Sequence, residues 1–154
     1  MRRKDREVTE QARINEIIQN CDCLRLALAD EGAPYIVPVS FGYAEGERTF
    51  YFHGAKEGRK MDLIRKNAMA GFELDCKHAL KESEKACGYS YFFQSVVGTG
   101  KICILEDVEE KKKGLLAVMA HYTGQKDWEF PENMLEMTAV LRLNVEEMSA
   151  KENK

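Results

Sequence analysis

Apolar positions change period several times along this chain, and the changes divide it into short segments. Ile14, Ile17 and Ile18 recur at helical spacing and predict a first helix from about Glu10 to Asn20 that covers one end of a core. From Leu24 the period falls to two. Leu24, Leu26 and Leu28 alternate with Arg25 and Ala27, as in a strand with one buried face. After the turn residues Glu31-Gly32-Ala33-Pro34, Tyr35 to Tyr43 reads as a second strand. Its Pro38 cannot donate to a ladder, and so marks an edge, a bulge or a place where a ligand replaces a neighbouring strand. Thr49 to His53 is a third strand, from which Gly54-Ala55-Lys56-Glu57-Gly58 leads into a helix from about Arg59 to Lys66.

Ala68 to Asp75 and the long run from Tyr89 to Leu105 are further strands, joined by a charged loop around Lys77 to Lys85. Asp107-Val108-Glu109-Glu110 has the spacing of a capping box at a helix start. The helix it opens places Leu115, Leu116, Met119 and Tyr122 on one stripe and stops near Gly124. A last strand, Thr138 to Val145, alternates Ala139, Leu141, Leu143 and Val145 against Val140, Arg142 and Asn144. The charged tail after Met148 is expected to be disordered, and residues 1–9 flexible. No repeat or linker divides the chain, so residues 1–154 form one domain. Six or so strands with mostly short turns, and helices as plugs, predict a mainly β fold: a closed antiparallel β-barrel with α-helices rather than a doubly wound sheet.

Composition narrows the partners. The 154 residues carry a net charge of -3, with 32% charged residues of both signs interspersed. No strong field draws such a chain to nucleic acid or to an anionic membrane, and a small-molecule partner is the expectation. The basic start, Met-Arg-Arg-Lys, has no apolar run behind it, and no window is long and apolar enough for a membrane span, so the expected location is cytoplasmic. The five cysteines are odd in number and lack paired metal spacing, which suits reduced thiols.

The stretch Phe50 to Lys60 is the richest in chemistry. A strand passes through two glycines into a helix whose first turn holds Arg59 and Lys60. A helix start offers unpaired N–H groups and the positive end of a dipole, which disfavours cations unless an anion is bound between them. Arg59 can grip two phosphate oxygens and Lys60 supplies a point charge, the needs of a phosphate monoester. A solvated helix face with incidental cations is the competing reading. His53 ends the apolar strand beside glycines that let a planar ligand approach, although a strand-end histidine is commonly just a surface residue. Ser95-Val96-Val97-Gly98-Thr99-Gly100 reads as a flat strand over which a ring could lie, or as a barrel bend relieved by glycine. Neither Cys87 nor Ser90 has the neighbours of a nucleophile, and the histidines lack metal-ligand spacing.

Taken together, Tyr35 to Tyr43, Tyr51 to Leu63 and Ser95 to Lys101 give the chain a resemblance to the pyridoxamine-phosphate-oxidase-like flavin proteins, and within them to the Nim-type nitroimidazole-resistance group. The resemblance spans about Arg13 to Val145. It implies an FMN-binding split β-barrel and a homodimer with FMN between the subunits. By this resemblance Arg59 and Lys60 form the phosphate clamp, Val37, Pro38, Val39 and Ser40 line the flavin, His53 and Gly54 lie near its ring, and Ser95 and Val96 close the pocket. The chain lacks the basic C-terminal segment with which pyridoxamine phosphate oxidases hold their substrate phosphate, so that oxidation is not expected. The expected function is reduction of small aromatic or nitro compounds, with His53 as the catalytic residue. The rivals are a flavin-binding protein without turnover, its ring covered by Trp128 and Phe130, and a haem protein with His53 as axial ligand.

Overall fold

In a computed structural model describing residues 2–154, the two ends of the sheet lie one residue apart in the chain. The elements in order are β1 (Glu7–Val8), α1 (Gln11–Asn20), β2 (Leu24–Leu28), β3 (Tyr35–Val39), β4 (Phe41–Ala44), β5 (Thr49–Ala55), α2 (Arg59–Lys66), β6 (Met69–Lys81), β7 (Ser90–Leu105), α3 (Val108–Thr123), α4 (Glu132–Met137) and β8 (Thr138–Asn153). Hydrogen-bonded strands follow the order β3-β2-β6-β7-β8-β5-β4, with β1 added to β8. Every pairing is antiparallel. Only Ser40 separates β3 from β4, so the path must curl until its ends meet, which makes it a barrel.

Alternation decides which side chains fill that barrel. Phe50 and Phe52 point inward with Leu24, Leu26, Leu28, Leu141 and Leu143, all but fully buried, while Ile17 and Ile18 of α1 plug one end. Tyr51 and Val140 face the other way and are buried as well, in a smaller cluster with Leu105 and Val118 beneath α3. Val140, expected on the polar side of the last strand, is thus covered by a helix.

Several boundaries differ from those expected. The second strand breaks at Ser40 into β3 and β4, because one half pairs with β2 and the other with β5. The loop expected from Lys77 to Lys85 is strand as far as Lys81; after a bulge at Cys76–Ala79, with Lys77 at φ 56, β6 and β7 continue as a ribbon. The tail expected to be disordered continues β8 to Asn153, with β7 on one side and β1 on the other, and Arg13 anchors Glu152 at 2.7 Å. Part of the flexible N-terminus is likewise strand, since Val8 pairs with Ala150; Met1 lies outside the described residues. Among the described residues there are eight strands where about six were expected.

The α3 stripe also shifts. Asp107 caps the helix by accepting the Glu110 N–H at 3.0 Å, but the Glu110 carboxylate accepts from Arg142 rather than closing the box. The deepest residues are Lys111, Gly114 and Val118, and Gly114 lets the helix approach the sheet closely. A Cβ on Gly114 would lie 2.8 Å from Val140 Cγ1. All five cysteines are free thiols. No helix among the described residues is long and apolar enough to cross a membrane.

The helix α3 comes nearest to the sheet at Gly42 of β4, where a Cβ would stand 2.2 Å from the Ala117 carbonyl carbon. Backbone cannot yield as a flexible side chain can, so Gly42→Ala is expected to cost about 3 kcal/mol, the upper end of ordinary overpacking. Gly46→Ala, whose Cβ would meet nothing within 4 Å, serves as the control. Urea unfolding of the two variants measures the difference.

Candidate functional site

Beyond Ser40 the two strands that meet there part company. β4 pairs with β5 only as far as Phe41 and Phe52, while β3 turns away to pair with β2. His53, Gly54 and Ala55 are held by β8 on one side and have no strand on the other. Val37, Pro38 and Val39 likewise have β2 on one side only. The result is a split whose two open edges diverge from Ser40, and backbone groups on an open edge are available to a ligand.

The chain leaves β5 and enters α2 below this split. Gly58 sits at the N-cap with φ 116, a conformation that glycine adopts without strain, and no side chain caps the helix. The first N–H groups of α2 are therefore unclaimed by any cap. Arg59 and Lys60 then point in different directions. Arg59 reaches Asp30 at 2.5 Å and stacks its guanidinium 4.4 Å from the Tyr35 ring centre. Lys60 folds back over Gly54, where a Cβ would stand 2.9 Å from its Nζ. Its ammonium is half-buried and, among the described residues, faces no carboxylate; burial alone pushes its pKa down. The expected two-residue clamp is thus one free cation and one already engaged.

His53 lies on the outer face of β5, in the same parity as Tyr51, and enters a pocket of about 220 Å³ between β5, α3 and α4. Val118, Met119, Phe130, Met134 and Leu135 surround it, so the only titratable group lining the pocket is the imidazole. Burial pushes the His53 pKa down, and the nearby Lys60 ammonium pushes it further. Both effects favour the uncharged imidazole at neutral pH. The outer wall is held in place by a buried lysine, because the Lys111 ammonium donates to the Leu135 carbonyl near the end of α4. Cations favour that end of a helix. Phe130 lines the pocket, whereas Trp128 lies outside it and donates its indole N–H to the Gln125 carbonyl at 3.2 Å. The α4 residues of the pocket carried no sequence signal, since a six-residue helix shows no periodicity.

Ser95 and Val96 stand elsewhere. They pair with Lys151 and Ala150 on β8, whereas His53 pairs with Val140. Ten residues of strand separate Val140 from Ala150, about 30 Å at the usual rise. The Val96 side chain is fully buried in the barrel core.

The model of the pyridoxamine 5'-phosphate oxidase family matches residues 10–152. The chain belongs to that family. Among solved structures, a protein of Bacteroides thetaiotaomicron named as a candidate for 5-nitroimidazole antibiotic resistance is 30% identical, covering 94% of this chain and 85% of its own, with a TM-score of 0.84. The FAD and heme binding protein of Mycobacterium smegmatis superposes at a TM-score of 0.86 with 17% identity, over 97% of this chain and 74% of that one. The flavocytochrome Anf3 of Azotobacter vinelandii gives 0.82 with 20% identity, over 100% and 72%. Among curated proteins none matches the sequence. The split-barrel fold of the family is the one described above.

The histidines give a test of these surroundings. His121, like His53, is pushed down by burial, against the opposing pull of its hydrogen bond to the Cys21 carbonyl. Both are neutral when folded at a pH where the unfolded chain, near about 6.5, binds a proton. Stability contributed by the two is therefore present above about pH 6.5 and lost as pH falls below it. NMR titration is expected to place both below the ordinary histidine range, and Lys60→Met to raise His53 while leaving His121 unmoved.

Proposed function

We propose that the protein is a homodimeric flavoprotein that holds FMN in the split and passes electrons to small aromatic or nitro compounds. The observation that carries this reading is Lys60, a half-buried cation without a counter-ion beside the uncapped start of α2. A phosphate monoester dianion meets there the ammonium, the free N–H groups and the positive end of the helix dipole. Gly54 keeps the space beneath Lys60 clear, because a side chain would displace the ammonium. Arg59 can add a second contact on leaving Asp30, so Lys60 is the main anchor and Arg59 the lesser one.

The open edges at Val37, Pro38, Val39 and Ser40 and at His53 and Gly54 offer backbone polar groups to the rim of a flat ring. FMN, when bound, supplies the redox chemistry; the protein supplies placement and electrostatics. His53 keeps one proton on its neutral ring, donating from one nitrogen and accepting at the other. A neutral imidazole in an apolar pocket orients an acceptor, or hands on that single proton, rather than serving as an imidazolium acid. The pocket around it admits small apolar or aromatic molecules and offers a phosphate no cation.

The same distances support a second copy of the chain. If Ser95 closes the flavin site, it cannot be the Ser95 of the chain that supplies His53, since about 30 Å of strand lies between them. A two-fold partner can bring the two together. The haem reading has neutral His53 in its favour as a ligand, but a pocket of about 220 Å³ falls below the roughly 300–1,000 Å³ of ordinary ligand sites.

The absorption spectrum of the purified protein separates flavin from haem, and light scattering reports the dimer. Lys60→Ala is expected to weaken FMN by about 1.5–3 kcal/mol, roughly 10- to 150-fold, while riboflavin is nearly unaffected. Fluorescence titration of both flavins measures this, and equal losses would remove the anion site from the argument. His53→Ala, with the clamp intact, is expected to retain FMN and to reduce a nitroaromatic at least tenfold more slowly in stopped-flow reoxidation. Loss of FMN by that variant would make His53 part of the cofactor seat instead.

A further inference from the structure

The walls of the pocket at His53 are of two kinds. Val118 and Leu135 are 5% and 3% exposed, and the Leu135 carbonyl accepts from the buried Lys111 ammonium as well. These two form a floor that cannot yield without disturbing close packing. Met134, one position earlier on α4, lines the same pocket and yet is 53% exposed, so its side chain stands at the mouth. Phe130 and Met119 are partly buried beside it. Phe130 is a stiff ring, and Met119 rises from α3, whose backbone is pressed against Gly42. Met134 has three rotatable side-chain bonds and solvent to move into.

The lining decides what the pocket can take. Among the described residues that form it there is no acid, lysine or arginine, and only His53 and Thr138 are polar. A charged group would lose its water there without gaining a partner. His53 is exposed, so its imidazole is open to a ligand from solvent and can meet one polar substituent. The volume, about 220 Å³, decides the size. An apolar cavity of roughly 150 Å³ holds benzene, so this one suits a six-membered ring with a small substituent. Two fused rings would have to push Met134 aside.

We propose that the pocket takes a single uncharged aromatic ring and that Met134 sets its size limit, an assignment that rests on reading the pocket as the acceptor's place and narrows the acceptor to one-ring compounds. Met134 is thus a specificity-determining residue, and the floor at Val118 and Leu135 keeps its place whatever occupies that position.

The test follows binding to the purified protein through the ring resonances of His53, with benzyl alcohol and 1-naphthylmethanol as probes and no reductant present. The parent is expected to favour benzyl alcohol, although the larger molecule is the more hydrophobic. Met134→Ala is expected to strengthen 1-naphthylmethanol by roughly tenfold or more and to leave benzyl alcohol nearly unchanged. Since Met134 stands largely in solvent, that variant is expected to melt close to the parent. Met137→Ala, at a 71% exposed methionine outside the pocket, is expected to change neither affinity. Benzoate, similar in size but charged, is expected to bind roughly tenfold more weakly than benzyl alcohol, or worse. The proposal fails if 1-naphthylmethanol binds the parent as tightly as benzyl alcohol, if Met134→Ala leaves their ratio where it was, or if benzoate matches the alcohol. It fails too if neither alcohol moves the His53 resonances. None of these measurements involves electron transfer, so the reductase reading stands or falls separately, on the stopped-flow reoxidation.

Discussion

One residue, Ser40, stands between the two ends of a seven-strand path, and the rest of the structure depends on that short connection. Consecutive Cα atoms are about 3.8 Å apart, so β3 and β4 cannot lie at opposite margins of an open sheet. The sheet closes there, but only on one side of Ser40. Past it, β3 follows β2 and β5 follows β8, and the seam opens. A closed barrel hides its backbone groups and an open sheet exposes a whole edge; this chain exposes a few residues of edge at one spot. Pro38 fits that spot because no strand claims its missing N–H on the outer side.

Charge at the split is arranged by the first turn of α2. Successive residues on a helix point about 100° apart, so Arg59 and Lys60 leave α2 in different directions. Asp30, contributed by the turn after β2, draws off the arginine, and the lysine is left to fold over Gly54. A half-buried ammonium without a counter-ion is electrostatically unfavourable in the ligand-free protein, and it adds to the burial that lowers the pKa of the neighbouring His53. An anion beside Lys60 would relieve the first effect and weaken the second. The phosphate site and the imidazole are therefore coupled through a single side chain.

Much of this was legible in the sequence, for reasons that differ by element. The alternation of Leu24, Leu26 and Leu28, the cap at Asp107 and the stop at Gly124 are local signals, and α2 is found from Arg59 to Lys66 as spacing predicts. The break at Ser40 is not local, because it depends on which strands β3 and β4 choose as neighbours. The same holds for Arg59, whose partner Asp30 lies 29 positions away. Period-two alternation assigns Val96 and Val97 to opposite faces but cannot say which face is the core; pairing with Leu74 and Ala150 settles it. The charged tail looked disordered by composition, yet strand neighbours on both sides and Arg13 hold it.

The helix α3 shows how a misread stripe bears on function. Leu115, Leu116 and Met119 suggested an apolar face laid on the barrel, but the closest contacts are made by Gly114 and the backbone at Ala117, with Val118 buried beneath the helix and Leu115 packed beside it. Small residues bring the helix axis close to β4 and β5. Met119 goes to the pocket at His53, and His121 goes to a second cavity beside Tyr43. Both cavities are thus consequences of one tight contact, centred on Gly42, and a bulkier residue there would move the walls of both at once.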